Sequence, residues 1–193
     1  LVYDPAAYRS DGGGLREIAR FQFPRQEDRE RLCLADYFRS VESGDVDIAA
    51  FQIVTVGSAA TRRFESLQAS DQYSEAYFSH GVAVEAAEAT AEWLHRRVRR
   101  ELGLLPAAGK RYSWGYGACP DLDDHVQVFK LLPAESALGM QLTSAFQLVP
   151  EQSTAAIIVH HPSAKYYTVR ELTAPAGARA GEQGAGSEER GAA

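Results

Sequence analysis

Residues 70–102 read SDQYSEAYFSHGVAVEAAEATAEWLHRRVRREL, a stretch with no proline and many Ala, Glu and Arg residues. Such side chains lose little freedom in a helix. Tyr73, Tyr77, Val84, Ala87, Ala91, Leu94, Val98 and Leu102 recur at intervals of three, four or seven and make one apolar stripe. The spacing therefore predicts one long amphipathic helix over 70–102, weakened only at Gly81 and stopped by Gly103 and Pro106. Strand-like segments lie on both sides of it rather than alternating with further helices of that length. That order predicts an α+β domain with a largely antiparallel sheet, not a doubly wound parallel one.

On the N-terminal side, Asp11-Gly12-Gly13-Gly14 reads as a turn into a strand over 15–23 that stops at Pro24. Residues 47–56, DIAAFQIVTV, are β-branched and apolar and read as a buried strand ending at Gly57. On the C-terminal side, Asp121 is placed to cap a short helix running to Leu132. Residues 140–149 and 154–160 read as two strands joined through Pro150–Ser153, and 166–172 as a last strand. No internal linker divides 1–172, so it is one expected domain. Residues 173–193 are Ala, Gly, Glu and Arg with no large apolar side chain and are expected to be a disordered tail.

The chain has 193 residues, a formal net charge of −6, 45% hydrophobic and 24% charged residues, enough for one sizeable core. Without a basic block, nucleic acid is not expected as a ligand. No apolar run approaches the roughly 20 residues of a membrane span. Cys33 and Cys119 lie in no CxxC pair, which points to a reducing, cytoplasmic setting. The single methionine is Met140 and the chain opens on Leu1-Val2-Tyr3, so it is expected to be a fragment of something longer.

The familiar phosphate-binding, zinc-protease and serine-hydrolase motifs are missing, and no catalytic residue is assigned. Neighbours on a strand face opposite ways, so His160 and His161 are poorly placed to chelate one metal. Cys33 and Cys119 read as small core residues. One segment stands out: Arg111-Tyr112-Ser113-Trp114-Gly115-Tyr116-Gly117-Ala118-Cys119-Pro120 combines one Arg, three aromatics and two glycines. An Arg fork suits a carboxylate, glycines admit close backbone approach, and the aromatic faces suit a flat or cationic group.

Arg111-x-x-x-Gly115-Tyr116 with Ala118-Cys119-Pro120-Asp121 resembles the S-adenosylmethionine motif of the activation domain of cobalamin-dependent methionine synthase. Leu32-Cys33-Leu34-Ala35-Asp36-Tyr37 resembles the CLAD segment of that family, and Ala87 to Arg99 its long-helix signature. Gly139 to Phe146 and His161 to Tyr167 resemble its two C-terminal motifs. The resemblance implies a C-shaped domain with a twisted antiparallel sheet flanked by helices.

It also implies a role. Such domains present S-adenosylmethionine to oxidised cobalamin while a flavodoxin-type reductase supplies an electron, restoring a methyltransferase that makes methionine. Cobalamin is then expected on another domain of the same enzyme, a partner of this one, and zinc only in a homocysteine-binding domain. The alternative is a stand-alone subunit that binds S-adenosylmethionine and docks without turnover. Carried over by position, the ligand contacts are Asp36, Glu88, Arg111, Ser113, Gly115, Tyr116, Tyr166 and Tyr167. The chain departs from the family at Gly117, where proline is usual and where glycine is expected to loosen the loop. The 100–110 connection is short, the helical segment expected before Leu1 is absent, and the tail stands in place of a C-terminal helix.

Overall fold

The computed structural model describes residues 1–10, 14–105 and 108–169. Most of the glycine turn at 11–14, the stop at Pro106, the end of the 166–172 strand and the 173–193 tail lie outside the described residues. In chain order the elements are β1 (Val2–Tyr3), α1 (Pro5–Ser10), β2 (Glu17–Ala19), β3 (Ala50–Thr55), α2 (Ser58–Ala69) and α3 (Tyr73–Glu101). They continue with β4 (Lys110–Ser113), α4 (His125–Leu131), α5 (Ala134–Leu138), β5 (Gln141–Leu142), β6 (Leu148–Val149) and β7 (Ser153–Val159). Among these strands every pairing is antiparallel, as the α+β order predicts, but the strands form three small sheets. The largest has the order β3-β7-β4.

Alternation along that sheet makes two different faces. Phe51, Tyr112, Trp114, Ala155, Ile157 and Val159 point into the main core with Leu34 and Tyr37. A run of stacked rings crosses this face: Phe21 lies 5.4 Å from Phe51 and 5.6 Å from Trp114. The opposite face carries Gln52, Ala156 and Ser113 side by side in register, with Arg111 beside Ile158. It packs on α3, where the Gln52 amide donates to the Ala91 carbonyl at 3.3 Å.

The long helix differs from expectation in its start and in its buried stripe. Asp71 takes a left-handed φ of 58°, and the amides of Asp71 and Gln72 turn back to the carbonyls of Gln68 and Leu67, closing α2 before α3 begins. No element is expected over 58–69, yet that proline-free segment forms α2, which directly precedes α3 and contacts it. The side chains of α3 that are buried are Ala76, Ala87, Ala91 and His95, whereas Tyr73 and Tyr77 are exposed. A helix lying close against a sheet needs small residues at the contact, and size overrides hydrophobicity in choosing them.

The C-terminal hairpin also differs. β5 pairs with β6 around a turn in which the Thr143 hydroxyl accepts from the amides of Ala145 and Gln147. β7 is the central strand of the main sheet instead. Only Glu17–Ala19 of the 15–23 segment is strand; Phe21 and Phe23 pack on the core. Helix α4 is preceded by a 3-10 turn over Leu122–Asp124, and the Asp121 side chain makes no capping bond. Helix α5 forms where none is expected. Residues 166–169 make no ladder; the Val169 amide donates to the Gly117 carbonyl at 3.0 Å. Among the described residues, no helix is long and apolar enough to cross a membrane.

Candidate functional site

Strand β4 is at an edge of the main sheet, and the glycine-rich loop leaves from its end. Gly115 has φ of 85°, a conformation that side chains rarely adopt, and its amide donates to the Cys119 carbonyl at 2.9 Å. The Cys119 amide returns to Tyr116, and the buried Cys119 thiol donates to the Ser113 carbonyl at 3.1 Å. Burial pushes that thiol up to about 12, so it stays protonated and is no nucleophile.

The loop, β4, residue 88 of α3 and the 166–168 segment line an open cavity of about 560 Å³. Six of the eight expected residues line it: Glu88, Arg111, Ser113, Tyr116, Tyr166 and Tyr167. Gly115 lies outside the lining and shapes the loop behind it. Asp36 is also outside, gripped by both terminal nitrogens of Arg25 at 2.5 and 2.7 Å. This pairing holds the Asp36 carboxyl below its usual range. A larger groove of about 800 Å³ between α4, α5 and β5 contains none of the expected residues.

At one end of the cavity, Arg111 Nη2 donates to Glu88 Oε2 at 2.7 Å. Its Nη1 is buried with no hydrogen-bond partner. Arg111 lines the cavity, and a carboxylate is the acceptor whose geometry fits a guanidinium fork, while a buried donor left unpaired costs free energy. Glu88, half-exposed beside it, supplies negative charge for a cation. At the mouth stand Tyr116 and Tyr166, 72% and 66% exposed. Tyr166 packs edge-on against Tyr112 at 5.5 Å, and the Tyr112 hydroxyl donates to the Lys165 carbonyl at 2.8 Å. The Tyr167 hydroxyl is buried without a partner, and burial raises its pKa, so it remains a neutral donor.

His95 lies on α3, seven residues beyond Glu88 and 4% exposed. Burial lowers its pKa, and the nearby charges of Arg99 and Arg111 lower it further, against the opposing pull of Glu92. A neutral imidazole behind Arg111 keeps a third positive charge out of this seam. The apolar-stripe pattern steps past His95; its four-residue spacing from Ala87 and Ala91 is the signal that finds it. Elsewhere, His160 Nε2 sits 2.6 Å from Asp47 Oδ1 while His161 packs on Tyr37, so the two turn to different partners. Among the described residues, no group of three His, Cys, Asp or Glu side chains is placed to hold a metal ion.

Comparison with known proteins adds the following. A family model described as the activation domain of vitamin B12-dependent methionine synthase matches residues 9–176. The methionine synthase of Mycobacterium tuberculosis is 40% identical over 173 residues, covering 78% of this chain and 14% of that protein. The Mycobacterium leprae methionine synthase is 39% identical over the same length and coverage. The chain thus spans about one seventh of these relatives. A crystal structure of the MetH reactivation domain bound to AdoHcy superposes with a TM-score of 0.70 at 30% identity, covering 76% of this chain and 51% of that one.

Proposed function

The chain belongs to the activation-domain family of vitamin B12-dependent methionine synthase, and on that premise we propose that its 560 Å³ cavity binds S-adenosylmethionine for reactivation of that enzyme. The observation that carries this is the half-used Arg111 fork. One terminal nitrogen is held by Glu88, the other is buried and unpaired, and Arg111 lines a cavity whose other residues include the exposed Tyr116 and Tyr166. The bound AdoHcy of the structural neighbour supports it, because AdoHcy is the same molecule without the sulfonium methyl.

The residues fit the ligand. Arg111 takes the carboxylate of the methionyl end, and Glu88 offsets the ammonium group. Ser113 and Gly115 offer backbone groups to the amino group or the adenine edge. Tyr116, Tyr166 and Tyr167 hold the adenosine or sulfonium region, by ring faces at the mouth and by a hydroxyl at the wall. Asp36, held by Arg25 outside the lining, makes no direct contact with the cavity in this arrangement. When bound, S-adenosylmethionine supplies an electrophilic methyl group. Its transfer needs positioning rather than proton movement, so no acid, base or nucleophile is asked of this chain.

The same reading places cobalamin and zinc on other domains of the parent enzyme. The cobalamin domain and a flavodoxin-type reductase become the partners of this one, in the cytoplasm. Calorimetric titration of the 193-residue chain with S-adenosylmethionine tests the site. Saturable one-to-one binding is expected, weakened about 10- to 100-fold in Arg111→Ala, since a charge-assisted pair contributes about 1.5–3 kcal/mol. Absence of binding by the folded wild-type chain would falsify the assignment.

A further inference from the structure

From the contacts around the glycine loop we infer that Gly117 is a positioning residue for the cavity, fixing the separation of its two walls; this rests on the S-adenosylmethionine reading above. The departure from proline is expected only to loosen the loop; the contacts around Gly117 point to a further role, close approach of the opposite wall. A Cβ at this position would sit 2.7 Å from the Tyr167 carbonyl oxygen, 2.9 Å from Thr168 Oγ1 and 3.1 Å from Thr168 Cα. Two of those three atoms are backbone, which cannot swing aside as a side-chain tip can. The space a side chain needs is filled by the opposite wall.

That wall is anchored on both sides. The Val169 amide donates to the Gly117 carbonyl at 3.0 Å, while the amide of buried Gln26 donates to the Thr168 carbonyl at 2.9 Å. The 167–169 segment therefore cannot retreat from a side chain at 117 without losing contacts on each flank. Tyr116 is the residue before Gly117, and Tyr166 the one before Tyr167, so the two rim tyrosines are carried by the backbones that meet here. Any atom added at 117 widens the mouth between them.

The test is calorimetric titration with S-adenosylmethionine of wild type, Gly117→Ala and Val128→Ala, each at a temperature where circular dichroism shows it folded. Val128 is fully buried in the core and lines no part of the cavity, so its truncation reports general destabilisation. Gly117→Ala is expected to weaken binding at least tenfold and to speed exchange of the Val169 amide; Val128→Ala is expected to do neither. Equal affinity in wild type and Gly117→Ala overturns the positioning role alone. So does an equal loss in both variants. Should Gly117→Ala not fold, Gln26→Ala frees the Thr168 carbonyl without adding an atom, and unchanged affinity there overturns the role too. A folded wild-type chain that does not bind overturns the ligand assignment, and this role with it.

Discussion

The two faces of the β3-β7-β4 sheet come from the same three strands and do opposite work. One face meets packed rings, Phe21, Phe51 and Trp114, with His125 edge-on to Trp114; Trp114 donates to Asp124 at 3.1 Å and His125 faces the Phe146 carbonyl at 2.7 Å, while the hydroxyls of Tyr37 and Tyr167 are buried in this core without a partner. The other meets the alanine track of α3 and retains buried polar atoms with no partner, on Gln52, His95, Arg99 and Arg111. Large rings stabilise by area, whereas small residues bring a helix close enough for Glu88 to reach Arg111. One face carries the main core; on the other, Arg111 pairs with Glu88 and lines the cavity.

The contrast breaks most visibly at Trp114. Trp114→Ala, which empties the centre of the ring stack, is expected to cost about 3–5 kcal/mol in chemical denaturation. Arg111→Ala should leave the denaturation midpoint within about 1 kcal/mol of wild type while removing most of the binding, because its main partner, Glu88, is half-exposed. If Arg111→Ala unfolds the chain instead, the polar face is structural and the division of labour is wrong.

A smaller effect sharpens the comparison. Gln52 is 2% exposed, makes one long hydrogen bond at 3.3 Å and leaves Oε1 unpaired. Gln52→Met should fall within about 1 kcal/mol of wild type in either direction, since it removes an unsatisfied oxygen together with that bond. A loss of several kcal/mol in thermal unfolding would show that Oε1 is satisfied after all.

The smallest effect is a pH trend on the ring face. Burial, with Asp123 and Asp121 nearby, raises Asp124 from its ordinary range to about 6, against the Trp114 hydrogen bond. The folded chain then holds this proton over a pH range where the unfolded chain has released it. Stability from this group is present below pH 4 and lost as pH rises toward 6. In a Trp93→Phe background, Trp114 fluorescence should titrate with a midpoint near 6, and Asp124→Asn should abolish the titration. A flat profile in the parent would place Asp124 in water.

How far the sequence reaches differs between the faces as well. The apolar run at 47–56 and the helix ending near 102 are legible because periodicity reports burial. The buried stripe of α3 is not: tyrosine outranks alanine by hydrophobicity, but contact distance selects Ala87 and Ala91. The break at Asp71 hides because aspartate is only one of several residues that tolerate the left-handed region. The candidate site is legible through the family motif at Arg111–Asp121, and six of its eight expected residues line one cavity. What lies behind them depends on distant segments: Arg25 on Asp36, His95 behind Arg111, Thr168 over Gly117. Long-range meetings of this kind leave no local pattern to read.

The place of β4 at the rim of its sheet has one more consequence. An uncovered outer strand offers bare amides and carbonyls to any other chain and is a standing template for aggregation. Here the glycine loop folds back so that a thiol takes the Ser113 carbonyl, and the C-terminal segment closes over the loop. At that end of the strand, Cys119, which lines the cavity, also occupies a carbonyl of the edge.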